Sequence, residues 1–187
     1  MTYIGNDIID INCPENRKSF HNSRYLNKFL TASEINYCKG KNYLYPYIFW
    51  TCKESCYKIL LKKGLNKSFS PRKFQVNLLS FDQTITSIVK YENFSCAAYS
   101  TISNSHFIHT IATNNKSIKS LIQFSIFNIN ESPIDQIAEI INISPNFLTI
   151  NKKNGIPILK YKNMLIPYDI SISHDGDFYS FAVLKQE

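Results

Sequence analysis

The stretch PYIFWTCKESCYKILLKKG, residues 46–64, decides how the rest of the chain is read. A proline opens it, Gly64 closes it, and Lys62 and Lys63 stand in its last turn, which is how a helix starts, stops and meets its dipole. The spacing predicts a helix over residues 46–63, starting after Pro46. On a 100° wheel Cys52, Cys56, Ile59 and Leu60 form one apolar stripe, and Trp50, Tyr57 and Leu61 form a second. Glu54, Lys58 and Lys62 share the remaining sector with Thr51 and Ser55. A surface helix has one apolar face, so two stripes predict a helix wedged between two surfaces with a narrow polar strip left open. Glu54 and Lys58 stand four residues apart. They read either as a helix-stabilising ion pair, worth about 0.2–0.5 kcal/mol, or as a carboxylate for a divalent cation beside an ammonium for a phosphate, the combination that phosphoryl chemistry needs.

Working outward, residues 3–11 (YIGNDIIDI) are β-branched and bounded by Cys13-Pro14, which predicts a strand. Alternation puts Asp7 on the face opposite Ile4, Ile8 and Asp10, either as a second carboxylate for a metal or as a satisfied polar group at a strand edge. Residues 15–28 are polar and basic, helical or irregular. Thr31 and Glu34 have capping-box spacing and announce a helix. Downstream, residues 72–80, 85–91, 95–103 and 106–113 read as consecutive strands, and 114–120 as a linker. Residues 133–143 read as a shorter helix with Ile134, Ile137, Ala138 and Ile141 on one face. Strands follow at 147–152, 156–161, 168–173 and 178–184, with turns at Asn154-Gly155 and Asp175-Gly176. The order hints at an internal repeat. Residues 99–112 and 168–183 share a shape, and Ile102-Ser103-Asn104 stands where Ile172-Ser173-His174 stands.

The 187 residues carry 44% apolar and 14% aromatic side chains, enough for a core, so disorder is excluded as the main state. Net charge is +7, and it is uneven: residues 1–75 hold 13 Lys and Arg against 5 Asp and Glu, while residues 76–187 hold 8 against 9. An acidic partner would meet the first part of the chain. Cys13, Cys38, Cys52, Cys56 and Cys96 are odd in number and form no CxxC, so free thiols of a reducing, cytoplasmic setting are expected. No window of about 18 apolar residues marks a membrane span, and Asp7 and Asp10 interrupt any signal-peptide pattern.

Three segments now stand in order: Ile4-Gly5-Asn6-Asp7, then Phe49-Trp50-Thr51-Cys52-Lys53-Glu54-Ser55-Cys56-Tyr57-Lys58, then Ser171-Ile172-Ser173-His174. With Phe29 to Glu34 and Gly155-Ile156-Pro157 as further matches, the chain resembles the 4′-phosphopantetheinyl transferase superfamily, whose signatures are GxD, (F/W)xxKE(A/S)xxK and an (S/N)(I/L)SH tip. The middle motif is the specific one, and together the segments touch most of the chain. The resemblance implies an α+β fold in one of two forms. The holo-acyl-carrier-protein synthases are single-repeat trimers; the longer, surfactin-synthetase-activating type is a monomeric pseudo-dimer with its site between the halves. The motif order here is that of the short form. The length and the wording of the middle motif are those of the long form, in which the SH segment comes first. The expectation is therefore a pseudo-dimer of two unequal halves, 1–115 and 116–187, each a small antiparallel sheet packed with a helix, with the trimer as second choice.

The resemblance also implies an activity: transfer of 4′-phosphopantetheine from coenzyme A to a serine of an acidic apo carrier protein, with adenosine 3′,5′-bisphosphate released. Residue by residue, it implies that Asp7 and Glu54 bind Mg²⁺, that Lys58 neutralises phosphate with Lys53 in support, and that Ser173, His174 and Gly155 contact coenzyme A. Glu34 matches a carboxylate suspected as general base; its capping-box spacing gives it a structural alternative. Three positions depart from the pattern. Ile9 stands where long-form members often carry a second acid, with Asp10 one step on. Ile156 replaces a basic residue, for which Lys152, Lys153 or Lys160 could substitute. Asp175 replaces a small hydroxyl residue. Other readings are a non-catalytic relative that binds carrier protein and, with no fingerprint to support it, a basic nucleic-acid-binding protein.

Overall fold

The computed structural model describes residues 1–65, 68–103 and 106–186. Asn104, and with it part of the compared tip, lies outside the described residues. The chain runs β1 (Ile4–Asp10), α1 (Pro14–Phe20), α2 (Ser23–Phe29), α3 (Ala32–Cys38), α4 (Tyr45–Lys62), β2 (Gln75–Phe81), β3 (Ile85–Tyr91), β4 (Phe94–Ser103), β5 (Phe107–Thr113), β6 (Gln123–Asn128), α5 (Pro133–Ile140), β7 (Leu148–Lys153), β8 (Ile156–Tyr161), β9 (Met164–Leu165), β10 (Tyr168–Asp175) and β11 (Phe178–Lys185). It is a mixed α/β architecture of antiparallel sheets and helices, and no described helix is long and apolar enough to cross a membrane.

The five-stranded sheet is ordered β1-β5-β4-β3-β2. Its inward residues, among them Val89, Cys96, Ala98 and Ile108, meet the first stripe of α4, where Cys52, Cys56 and Ile59 are fully buried. On the other side α4 meets the aromatic residues of α1 and α2, with Phe20 stacked on Tyr47 at 4.0 Å between ring centroids. The wedge expected from two apolar stripes is therefore formed. The helix begins one residue earlier than expected, at Tyr45 with Pro46 in its first turn. It stops where the Gly64 and Leu65 amides bond back to Leu61 and Leu60.

The polar strip is narrower than the wheel implied. Thr51 and Ser55 are buried, Thr51 Oγ1 bonding the Ile48 carbonyl and Thr110 Oγ1, and Ser55 Oγ donating to the Thr110 carbonyl. Hydroxyls can satisfy themselves against the helix's own backbone and a neighbouring strand, which a wheel does not register. β1 lies so close to α4 that a Cβ on Gly5 would stand 2.0 Å from the Ser55 carbonyl oxygen. Gly5→Ala is expected to cost about 3 kcal/mol, as overpacking against backbone does, read as a lowered midpoint in urea.

After β5 the expected linker is a 3-10 helix, Lys116–Leu121, followed by β6, a strand the sequence did not announce. β10-β11-β6 form one three-stranded sheet and β7-β8-β9 another, so the second half carries two small sheets rather than one. The free edge of β8 is taken by β9, and Pro167, with no N–H, ends that pairing before β10 begins. The element order nevertheless recurs. A first strand, then helix (α1 to α4 in the first part, α5 in the second), then further strands, with the first strand pairing the last (β1 with β5, β6 with β11), describe both parts of the chain. Small corrections follow at the ends. Residues 71–73 are a 3-10 turn and not strand, residues 15–28 are the two helices α1 and α2, and the β10–β11 turn is centred on Gly176-Asp177.

Candidate functional site

Three elements converge on the open strip of α4: β1, α4 itself and the end of β10. A cleft of about 400 Å³ is lined by Asp7, Glu54, Lys58, Ser173, His174 and Asp175, with Phe20, Tyr25 and Trp50 forming an aromatic wall. A second cleft, of about 530 Å³, is lined by Lys152, Gly155, Ile156, Pro157, Ile134 and Tyr179. The two share Glu54, Lys58, Ile172 and His174, which form the neck between them.

At the neck, Asp7 Oδ1 accepts from Ser173 Oγ at 2.7 Å and from Lys58 Nζ at 3.2 Å. Burial pushes the Asp7 carboxyl up, and Lys58 and Ser173 pull it back down. The expected Glu54–Lys58 ion pair is not the one that forms. Among the described residues the ion pairs are Lys53–Glu34, Lys58–Asp7 and Lys62–Asp169. All three cations lie on α4, so three of the thirteen basic residues of the first part are paired within the protein, Lys58 among them still facing the clefts. The Glu54 carboxylate forms no hydrogen bond or ion pair with any described residue. It is pushed up to about 7 by burial and by the negative charge of Asp7, against the pull of Lys58. Among the described residues no three or more His, Cys, Asp and Glu side chains are grouped so that together they could hold a metal ion. The donor set at the neck is therefore two carboxylates that raise each other's cost of ionising. Hard oxygen donors under mutual repulsion fit a small divalent cation that keeps waters.

Ser173 has one proton, and it goes to Asp7; its oxygen accepts from the Ile8 amide at 3.3 Å. It thus orients the carboxylate and has no proton left for a phosphate. His174 is exposed at the neck, stacked on Tyr179 at 5.4 Å. Gly155 sits with Asn154 in the β7–β8 turn, on the second cleft. Of the three candidate lysines, Lys152 lines that cleft, Lys153 lines an adjoining groove with Lys62, and Lys160 lines neither.

Glu34 and Lys53, expected as base and phosphate support, are placed elsewhere, buried against each other behind α3. Glu34 Oε2 accepts from the Thr31 amide at 2.8 Å and from Lys53 Nζ at 2.6 Å, and Oε1 accepts from the Val76 amide at 3.0 Å. Lys53 also donates to the Phe29 carbonyl at 2.7 Å and is 0% exposed. Neither side chain lines either cleft. The capping box is present, as the sequence predicted. Asp10 is also structural. It accepts from the amides of Asn12, Cys13 and Asp177, so close to Gly176 that a Cβ there would lie 2.2 Å from Asp10 Oδ2. Asp175 holds the Asp10 amide at 2.8 Å and Asn16 Nδ2, so its charge is tied to β1 and α1. The Lys62–Asp169 pair had no sequence signal beyond the place of Lys62 on the strip.

A family model described as the 4′-phosphopantetheinyl transferase superfamily matches residues 3–112, which carry Asp7, Glu54 and Lys58. No curated protein and no solved structure matches the chain.

Proposed function

This chain belongs to the 4′-phosphopantetheinyl transferase superfamily, and from that premise we propose that it moves the 4′-phosphopantetheine group of coenzyme A onto a serine of an acidic apo carrier protein, with Mg²⁺, leaving holo carrier protein and adenosine 3′,5′-bisphosphate. The observation that carries this reading is the neck, where Asp7, Glu54, Lys58 and His174 come together from β1, α4 and β10 between two clefts. The nucleotide end of coenzyme A fits the second cleft, beside Lys152 and Gly155, with the pyrophosphate at the neck. The first cleft, open toward the basic helices α1 and α2, receives the carrier protein.

Asp7 and Glu54 would hold Mg²⁺, which when bound neutralises charge on the pyrophosphate oxygens. Lys58 Nζ, anchored on the Asn6 carbonyl at 2.7 Å, presents its charge at the same place. The serine oxygen forms a bond to the phosphorus next to pantetheine, and the bond from that phosphorus to the bridging oxygen breaks, leaving with adenosine 3′,5′-bisphosphate. Of the two carboxylates, Glu54 is the one that no donor holds, and we place it to receive the serine proton. Ser173 acts through Asp7. Ser173→Ala is expected to lower cation affinity or turnover about 10- to 100-fold, read from the Mg²⁺ dependence of turnover. The recurrence of strand, helix and strands on either side of residues 114–122 supports two unequal halves meeting at the site, and hence a monomeric pseudo-dimer. The function is tested by incubating the protein with coenzyme A, Mg²⁺ and a panel of apo carrier proteins. Intact mass reports the added phosphopantetheine, and no gain on any member would overturn the reading.

A further inference from the structure

β1 and β10 run side by side in the same direction without sharing a backbone ladder. The side chains of β10 take its place. The amides of Ile4, Asn6, Ile8 and Asp10 donate to Asp169 Oδ2 (2.7 Å), Ser171 Oγ (2.9 Å), Ser173 Oγ (3.3 Å) and Asp175 Oδ2 (2.8 Å), each 165 residues further on. A side chain thus stands where a sheet has a carbonyl, and the main-chain oxygens that face the gap receive no amide from the other strand. Such a gap has no spacing of its own. A ladder fixes one separation, whereas side chains that turn about χ1 can bond across a range of them. Something else has to set the distance between the strand that carries Asp7 and the strand that carries Ser173 and His174.

Lys62 and Asp169 are placed to do so. Lys62 Nζ reaches from α4 into the gap. It donates to the carbonyl of Ile4 on β1 at 2.8 Å, to that of Ile170 on β10 at 2.7 Å, and to Asp169 Oδ1 at 2.7 Å. An ammonium has three hydrogens, and all three are used at short distance. Although Lys62 lines the second cleft, no hydrogen is left for a phosphate. The other oxygen of Asp169 takes the Ile4 amide at 2.7 Å, so Ile4 is held at both its N–H and its C=O. α4, β1 and β10 therefore meet in one pair, whose side chains are 4% and 12% exposed. A charge buried this deeply costs stability unless its partners stay in place, so the three elements cannot drift apart singly.

One turn earlier Lys58 makes the same crossing loosely. Its Nζ is 2.7 Å from the Asn6 carbonyl, but 3.2 Å from Asp7 Oδ1 and 3.4 Å from the Ile172 carbonyl, and its side chain is 21% exposed. Four helical residues advance about 6 Å and two strand residues about 6.6 Å, so the two lysines meet successive places along the gap. The two crossings are unequal. Lys62 is used up by its own, and Lys58 keeps loosely held hydrogens that a phosphate can take.

We propose that Lys62 and Asp169 are a positioning pair that sets the distance between the two halves of the chain, and with it the width of the neck, leaving Lys58 free to serve the substrate. The part that concerns the substrate rests on the transferase reading; the spacing does not. Coenzyme A lying across the neck would touch α4 on one side and β8 and β10 on the other. A molecule that spans the gap binds best when the gap already stands at its width.

Asp169→Asn tests this in the full chain. An amide offers one acceptor where two donors, the Ile4 N–H and Lys62 Nζ, converge, while Lys62 keeps its two carbonyls. Hydrogen exchange of the β1 amides is read first. If the pair sets the spacing, Asn6 and Ile8 exchange about tenfold faster together with Ile4. Faster exchange of Ile4 alone makes the contact local and overturns the proposal. Intact-mass loading is read second. The KM for coenzyme A is expected to rise about tenfold with kcat within about threefold of the parent, because coenzyme A once bound holds the gap itself. A pair that only stabilises the fold would lower the fraction of active molecules, and so the apparent kcat, at an unchanged KM; an unchanged KM overturns the positioning role. Lys62→Arg, which keeps the charge but spreads its donors over a planar fork, gives the same two readouts should Asp169→Asn not fold. A parent that loads no carrier protein overturns the transferase reading, and the exchange pattern then decides the spacing by itself.

Discussion

Glu54→Gln is expected to lower carrier-protein loading by at least about a thousandfold, the scale of losing one strong electrostatic element aimed at a transferring group, while leaving a protein more stable than the parent. The two effects share a cause. Glu54 stands at about 7 in the folded protein against an ordinary value of 4.5. The folded state therefore binds the proton more tightly than the unfolded chain, and ionising Glu54 costs stability. That cost is absent below the ordinary value, grows as the pH rises from 4.5 to about 7, and is constant above. Its upper bound is roughly 3 kcal/mol, reduced by the solvent that reaches the cleft. The amide carries no such cost. The melting temperature of Glu54→Gln should thus exceed that of the parent at pH 8, and the two should converge toward pH 4.5. A variant equally active would remove Glu54 from the site; a variant less stable at pH 8 would mean that a donor holds the carboxylate after all.

What could be read from residues alone divides along a physical line. The helix of α4, its two stripes and its stop were legible because periodicity and capping are local. So were Asp7 and Glu54 as a carboxylate pair, although their meeting depends on Gly5 letting β1 approach α4. Depth was not legible. Thr51, Ser55 and Lys53 look like surface residues by type, yet each is satisfied internally, by Thr110, by backbone carbonyls or by Glu34. β6 was missed because only one of its six residues, Phe127, is buried, and the strand exists through its pairing with β11. The alignment of β1 with β10 leaves no local trace at all. It is made by Asp169, Ser171, Ser173 and Asp175, four residues that any strand-edge pattern would allow, meeting a strand far away in the chain.

Glu34→Ala is expected to lower the melting temperature by roughly 10 °C, because removing one member of a buried ion pair costs about 3–5 kcal/mol. The loss is larger than a cap alone would give. Lys53 would be left fully buried with only the Phe29 carbonyl, and the amides of Thr31 and Val76 would lose their acceptor. Glu34→Gln should recover little of this, since an amide offers one acceptor where three donors converge. Replacing both members, Glu34→Met with Lys53→Met, should recover much of it, because a well-packed apolar pair avoids the desolvation of two charges. The same variants separate structure from catalysis. A general base contributes about 10²- to 10⁴-fold to turnover, so if Glu34 took the serine proton, the double variant would fold and still be nearly inactive. With Glu34 tying α3 to α4 and β2, turnover per folded molecule in the double variant should stay within a few-fold of the parent. The deficit of Glu34→Ala should then lie in how much of the chain is folded, as measured by thermal melts beside intact-mass loading.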